Sequence, residues 1–484
     1  MTRPVTDPQW WTATETLAAL KAKEIGAVEL LDTSLARQAK FGSAINAVIE
    51  VQAEQARAEA KAFDKGDRKG ALVGLPMTIK DTYEVAGFGC TAGIPDLAGY
   101  RSPGDADAVA QLRGAGAVVW GKTNVPLAAS DHQSYNPIHG VTRNPWNADR
   151  TVGGSSGGAA AALAAGLTAL ELGSDIGGSI RVPSHYCGVW GHKPSYGIVP
   201  QRGHVPPNPG TLGESALAVC GPMARSAADL ELALDLLTAA PKAGWTLSLP
   251  AARATGLKGA RIAVWTGGNP VDPGYAAAIH GFAGDLAKAG ARVTPLDSAP
   301  LPLLGDDDLY IALLFATIGA DLPPEALDGY AAAAAAFPEG SLPARVARAT
   351  RSSHGEYTHL HERQQRHIAA WAAWFADYDA LICPVSMNVA FPHQTEDGHG
   401  PIPQMFRTLQ VGNEERPYME NLFWPGIATL AHLPATARPL PGKVHGMPAG
   451  VQIIGPAFGD LTTLALAKAM DAEFGGFTPP PGFA

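Results

Sequence analysis

Two glycine-rich turns, Val152-Gly-Gly-Ser-Ser-Gly-Gly158 and Gly173-Ser-Asp-Ile-Gly-Gly-Ser-Ile-Arg-Val-Pro183, bracket the small-residue run Ala159 to Leu170, and this arrangement constrains the chain more than any other feature. Glycine allows backbone conformations that side chains forbid, so successive N–H groups can converge on one point. Taken singly, either turn is most simply explained by close helix–strand packing. Taken together, each presents a serine, and the amides of Ile176, Gly177, Gly178 and Ser179 could face a developing oxyanion. The run between them is too short to cross a bilayer.

The surrounding chain alternates short apolar runs with helical segments. Leu75 to Ile79 reads as a strand leading into Lys80, Ala108 to Arg113 as a helix and Ala117 to Trp120 as a strand. Arg261 to Trp265, Tyr275 to Lys288 and Ala291 to Thr294 repeat that strand–helix–strand order, and Ala380 to Pro384 adds a strand. Helices are also expected over Ala331 to Ala336 and His354 to Phe375. The first seventy residues read as helical: Thr12 and Glu15 make a capping box, Val28, Leu31 and Leu35 share a face, and Asn46 to Lys65 is rich in helix formers. The Pro-rich stretches 204–209, 299–302 and 434–441 are expected as loops. The expectation is one α/β domain over 1–484, a large, mixed, mostly parallel twisted sheet covered by helices on both sides. Its parts are a helical layer (1–70), a core (71–240) and a variable region (300–415).

With 46% hydrophobic and 17% charged residues among 484, a large core can form. The net charge of −9, without a run of Lys or Arg, argues against a nucleic-acid partner. The cysteines, Cys90, Cys187, Cys220 and Cys383, lie far apart and are expected as reduced thiols. Met1 to Trp11 lacks an apolar leader stretch, so a soluble cytoplasmic protein is expected.

Three motifs point elsewhere and are set aside. Gly116 to Thr123 fits a phosphate-loop pattern, but an apolar strand occupies its spacer. Gly153 to Gly157 fits a nucleophile elbow centred on Ser155, but polar, turn-like residues precede it. His354, His359, His361 and His367 lack i, i+4 spacing, so a solvated helix face is expected and no metal or other cofactor.

A serine hydroxyl needs a neighbouring base. Fourteen histidines leave a Ser-His-Asp arrangement open on spacing alone. Lysine can serve where burial lowers its pKa, and Lys80, following an apolar strand, is a candidate, although a strand-end lysine ordinarily reaches solvent.

The segments GGSSGG at 153–158, DIGGSIR at 175–181 and LPMTIKD at 75–81 resemble the amidase signature family, which includes fatty acid amide hydrolase, malonamidase and the A subunit of glutamyl-tRNA amidotransferase. Further similarity lies at Gly121 to Asn124, Thr142 to Trp146, Gly221 to Ser226 and Gly446 to Pro456. The resemblance implies a Ser-cisSer-Lys triad of Ser179 as nucleophile, Ser155 as bridge and Lys80 as base, with Ser156, Asp175 and Arg181 bracing it. It also implies an acyl-enzyme mechanism, no cofactor and a small-molecule amide substrate, expected to be neutral and apolar or aryl; homodimers occur among relatives. Carbamate or ester hydrolysis, or service within a multi-chain amidotransferase, are the alternatives. Tyr135, Tyr196 and Phe423 are candidate pocket walls.

Overall fold

The computed structural model describes residues 7–66, 69–238, 244–301 and 307–483. Residues 1–6 of the N-terminal segment and residue 302 of the stretch 299–302 lie outside them.

An eleven-stranded sheet organises the molecule. Its strands are β1 (Val48–Val51), β2 (Pro76–Lys80), β3 (Val118–Thr123), β4 (Leu170–Asp175), β5 (Trp190–Lys193) and β6 (Val219–Ala224), followed by β7 (Arg261–Trp265), β8 (Arg292–Leu296), β9 (Ala380–Pro384), β10 (Ala435–Pro439) and β11 (Gly450–Ile454). Their spatial order is β1-β3-β2-β4-β6-β5-β10-β11-β9-β7-β8. The mixed α/β sheet is as expected, but its parallel share is smaller. Four neighbour pairs are parallel (β3·β2, β2·β4, β9·β7, β7·β8), and the other six are antiparallel. The strand–helix–strand units that sequence alternation reveals supply parallel pairs on both flanks. The antiparallel centre joins the β10–β11 hairpin to strands far from it in the chain, and strand–helix–strand alternation registers neither.

Side chains of β3 alternate between two cores. Val118 and Trp120 join the helices Ala27–Ile45, Ala53–Asp64 and Gly157–Ala164 on one face. Val119 joins the larger cluster under Asp107–Gly114, Ala227–Leu237, Pro273–Lys288 and Asp460–Phe474 on the other. Strands β2, β3 and β4 are buried throughout, as parallel strands covered on both faces must be. A third apolar cluster gathers the helices Asp307–Gly319, Pro324–Ala334 and Leu342–Ala349 from the variable region with Phe423 and Leu430.

The capping box is present: the Glu15 amide donates to Thr12 Oγ1 at 3.2 Å and the Thr12 amide to Glu15 Oε2 at 2.9 Å. Two expectations need correction. Asn46 to Lys65 is not one helix, because the β-branched Val48-Ile-Glu-Val51 pairs antiparallel with β3 before a helix begins at Ala53. The stretch 434–441 is not a loop, since Ala435–Pro439 lies inside the sheet between β5 and β11. Its prolines, Pro434, Pro439 and Pro441, sit before, at the end of and after the strand, where their missing N–H groups cost least.

The three set-aside motifs are explained by their surroundings. Lys122 and Thr123 belong to β3, and Lys122 Nζ donates to the carbonyls of Tyr83 and Gly89 at 2.7 and 2.8 Å. No strand leads directly into Gly153. On His354–Trp374, His359 and His361 are exposed, but His367 is buried and accepts from Trp371 Nε1 at 3.1 Å, so that face is only partly solvated. All four cysteines are buried free thiols.

The helix Gly157–Ala164 begins so close to the sheet that a Cβ on Gly158 would sit 2.3 Å from the Asn124 amide nitrogen and 2.6 Å from its carbonyl oxygen. Gly158→Ala should therefore lower unfolding stability by about 1–3 kcal/mol through overpacking. Gly281, exposed within Pro273–Lys288 with nothing near its Cβ position, provides the contrast. Gly281→Ala should raise stability by about 0.5–1 kcal/mol. Urea-denaturation midpoints of the two variants would check both signs.

Candidate active site

The C-terminal ends of the parallel neighbours β2 and β4 bring Lys80 and the Ser174–Asp175 pair together. Lys80 is wholly buried, its Nζ lying 2.6 Å from Ser155 Oγ and 2.9 Å from Ser174 Oγ. Burial pushes the Lys80 ammonium down to about 7, with Asp175, Cys220 and Glu171 partly opposing the shift.

Ser155 stands in the turn before Gly157–Ala164, and the Gly154–Ser155 peptide bond is cis. The turn is clamped from several sides. A Cβ on Gly154 would meet the Asp131 carbonyl oxygen at 2.1 Å, and Ser134 Oγ donates to the Gly153 carbonyl at 3.0 Å while accepting from the Gly157 amide at 3.1 Å. The glycines thus do provide close packing, as the simplest reading of one turn supposes. The Ser156 amide donates to the Ser179 carbonyl at 3.1 Å, which docks this turn on the second one. Ser156 Oγ donates to the Ser174 carbonyl at 3.4 Å.

Ser179 is 6% exposed in the 176–180 turn. Asp175 organises that turn. Its carboxylate accepts from the amides of Gly178 (2.9 Å) and Ile180 (3.1 Å), and from Arg181 Nε and Nη2 at 3.0 and 2.8 Å. Burial alone would raise its pKa, but the Arg181 guanidinium holds it well below the usual carboxylate range. Arg181 also donates to the Pro425 carbonyl, Gln452 Oε1 and Thr429 Oγ1, so its buried charge is fully engaged.

The carbonyls of the turn are held too. Tyr310 Oη donates to the Ile176 carbonyl at 2.9 Å, the Val182 amide to the Gly178 carbonyl at 2.7 Å, and His132 Nε2 to the Gly177 carbonyl at 2.8 Å. A carbonyl acceptor makes Nε2 the donor, so His132 Nδ1 accepts from Asn421 Nδ2 at 3.0 Å. Burial lowers this imidazole to about 4 and keeps it neutral. The Gly178 amide is committed to Asp175, whereas among the described residues no hydrogen bond takes up the amides of Ile176, Gly177 and Ser179.

Low lysine pKa alone does not define the site. Burial also brings Lys193 down to about 7, but its Nζ donates to the carbonyls of Pro194 and Leu433, which have no proton to give. Only Lys80 of this pair faces hydroxyl groups.

Of the candidate pocket residues, Phe423 joins the apolar cluster that Ile176 and Leu422 border. Tyr135 is buried, with its hydroxyl donating to the Gly398 carbonyl and accepting from Arg407. Tyr196 stacks on His432 at 4.2 Å and donates to the Ser215 carbonyl. Sequence reasoning singled out none of His132, Ser134, Ser174, His204, Tyr310 and Asn421. Only Ser174 lies within a recognised motif. No group of His, Cys, Asp and Glu among the described residues could hold a metal ion, and no described helix is long and apolar enough to cross a membrane.

The chain is 30% identical to an indoleacetamide hydrolase of Bradyrhizobium diazoefficiens, covering 97% of this chain and 87% of that protein. It is 31% identical to the A subunit of the glutamyl-tRNA(Gln) amidotransferase of Anaeromyxobacter dehalogenans, covering 96% of each. A bacterial aryl acylamidase of the amidase signature enzymes superposes with a TM-score of 0.79 at 25% identity, over 96% of both chains. The amidase family model matches residues 29–464, and the chain belongs to the amidase family of hydrolases.

Proposed function

We propose that this protein hydrolyses the C–N bond of a small, neutral, apolar or aryl amide, with Ser179 as nucleophile, Ser155 as proton bridge and Lys80 as base. The observation that carries the reading is the 2.6 Å contact between Lys80 Nζ and Ser155 Oγ in a fully buried setting that brings the amine to about 7. An uncharged amine can take the Ser155 proton, and Ser155 Oγ can take the proton of Ser179 as its oxygen attacks the carbonyl carbon. The free amides of Gly177 and Ser179, their peptide planes fixed by Tyr310 and the Val182 amide, suit the tetrahedral oxyanion, with Ile176 as a further donor. The relay then returns a proton to the leaving nitrogen as the C–N bond breaks, and water deprotonated along the same path releases the acid from Ser179.

The substrate class rests on the surroundings of the turn. Ile176 and Leu422 border the apolar cluster that holds Phe423, and Leu422 lies so near the turn that a Cβ on Gly177 would meet it at 3.0 Å, while the buried charges Asp175 and Arg181 are satisfied by each other. Relatives named for indoleacetamide and aryl acylamides point the same way. Work within a multi-chain amidotransferase would show as co-purification with further chains.

Ser179→Ala should abolish covalent labelling by a fluorophosphonate, read by intact-protein mass, and Ser155→Ala or Lys80→Met should each lower kcat/KM for an aryl anilide by about 10²–10⁴. Labelling at Ser155 in place of Ser179 would contradict the assignment. Because the lysine acts uncharged and its folded pKa is about 7, kcat/KM should be low below that pH, rise through it and level off above. A profile flat from about pH 6 to about pH 10 would contradict a lysine base.

Asp175→Asn would leave Arg181 buried without its counter-charge and should cost about 3–5 kcal/mol of stability at neutral pH. The folded Asp175 pKa lies below its unfolded value, so its contribution is full above the unfolded value of about 3.9 and fades as pH falls from there. Urea unfolding should therefore show the gap between parent and variant narrowing in acid.

A further inference from the structure

The proposed relay uses one side of the Lys80 amine; a second hydrogen-bond chain leaves its other side. Ser174 Oγ lies 2.9 Å from Lys80 Nζ and 2.8 Å from His204 Nε2, and His204 Nδ1 lies 3.2 Å from the Pro206 carbonyl oxygen. His204 comes from the Pro-rich segment Pro200 to Gly210. That segment is tied to the extension of β2: the Val205 amide donates to the Thr82 carbonyl at 2.7 Å and the Glu84 amide to the Gly203 carbonyl at 2.9 Å. The imidazole also packs edge-on against Tyr83, with centroids 5.0 Å apart and planes at 87°.

We propose that His204 sets the direction of the hydrogen-bond chain through Lys80, so that the lone pair of the uncharged amine faces Ser155. This rests on the Ser179–Ser155–Lys80 reading and deepens it by adding a positioning residue.

The direction follows from a donor count along the chain. The Pro206 carbonyl can only accept, so His204 Nδ1 carries the proton and Nε2 is an acceptor. Ser174 must then give its hydroxyl proton to Nε2, which leaves its oxygen as an acceptor towards Lys80. A neutral amine has two N–H bonds and one lone pair. One N–H is directed at Ser174 Oγ, the Ser174 carbonyl oxygen at 3.5 Å accepts weakly from the other, and the lone pair is left for the Ser155 hydroxyl. With no acceptor at Nε2, the Ser174 hydroxyl could turn and donate into the lone pair in competition with Ser155.

The other groups around the amine do not perform this task. Asp175 is engaged by Arg181 and the turn amides, Tyr83 gives its proton to the Gly173 carbonyl at 2.6 Å, Glu171 acts on Lys80 through its charge, and burial pushes the Cys220 thiol up to about 12, which keeps it neutral. Burial and the nearby Lys80 lower His204 to about 3, which keeps it neutral across the working range.

The test uses the full chain and a fluorophosphonate, in which the serine oxygen displaces fluoride from phosphorus while the relay takes the hydroxyl proton. Its labelling rate at Ser179 is followed against pH. His204→Phe keeps an edge-on ring but loses the acceptor. It should slow labelling at about pH 8 by roughly tenfold or more. The midpoint of the acid limb should move to lower pH, because a donating Ser174 hydroxyl stabilises the uncharged amine. In His204→Gln the side-chain oxygen can accept from Ser174 while its amide donates to Pro206, so the rate should return to within about threefold of the parent with the midpoint restored. Should His204→Phe not fold, His204→Asn, too short to reach Ser174, should show the same slowing and shift. Overturning results are a parental rate and midpoint in His204→Phe, or equal losses in the Phe and Gln variants with an unmoved midpoint, which would mark a merely structural role. Continued labelling of Ser179→Ala would instead overturn the underlying triad reading.

Discussion

A single buried amine sets the terms for the rest of this site. Lys80 ends a strand covered on both faces, so its charge has no water to stabilise it and falls towards neutrality near pH 7. What the fold provides in place of water is a pair of hydroxyls, Ser155 and Ser174, both within hydrogen-bond reach. Lys193, equally buried and shifted to about the same value, donates among the described residues to the carbonyls of Pro194 and Leu433. Burial lowers both lysines; only the partners of Lys80 can exchange a proton with it. The proposed chemistry therefore depends on where β2 and β4 end and on which side chains those ends carry.

The glycine-rich turns supply the second half of the arrangement, and in the proposed mechanism they serve packing and chemistry at once. Gly154 and Gly158 allow backbone approaches that no Cβ would tolerate. Those approaches lodge Ser155 above the sheet and dock its turn on the Ser179 turn through the Ser156 amide. Asp175 gathers the second turn from within, paired to Arg181, while Tyr310 and His132 hold its outward carbonyls. Among the described residues the N–H groups of Ile176, Gly177 and Ser179 take no hydrogen-bond partner, and the carbonyl contacts of Tyr310 and the Val182 amide orient those of Gly177 and Ser179, the feature an oxyanion site requires.

Much of this is legible in the sequence, for an identifiable reason. Lys80, Ser155 and Ser179 sit in short motifs whose residue types declare a constraint: a strand running into a lysine, and serines among glycines. The parallel units around β2, β3 and β7 are legible because their strands and helices alternate locally. The central antiparallel strands are not, because β5 and β9 meet the β10–β11 hairpin across long stretches of chain, and the prolines at the ends of Ala435–Pro439 read as a loop. β1 is hidden by helix-forming neighbours. The supporting residues His132, Tyr310 and Asn421 are illegible for a related reason. His132 and Tyr310 each reach the turn from a distant segment by one hydrogen bond, and Asn421 acts one step further out by donating to His132, so nothing in their immediate neighbours records these contacts. His204 is a middle case, in a segment that stands out by its prolines but whose partner Ser174 only the folded chain reveals.

The claim at the centre is the charge state of one amine, which can be observed directly. With 13C-labelled lysine and Lys80→Met to assign its signal, the shift of the Lys80 Cε resonance against pH reports its titration. The account predicts a midpoint near 7, far below the ordinary 10.5. A Lys80 that stays charged until about pH 10, like a solvated lysine, would contradict it.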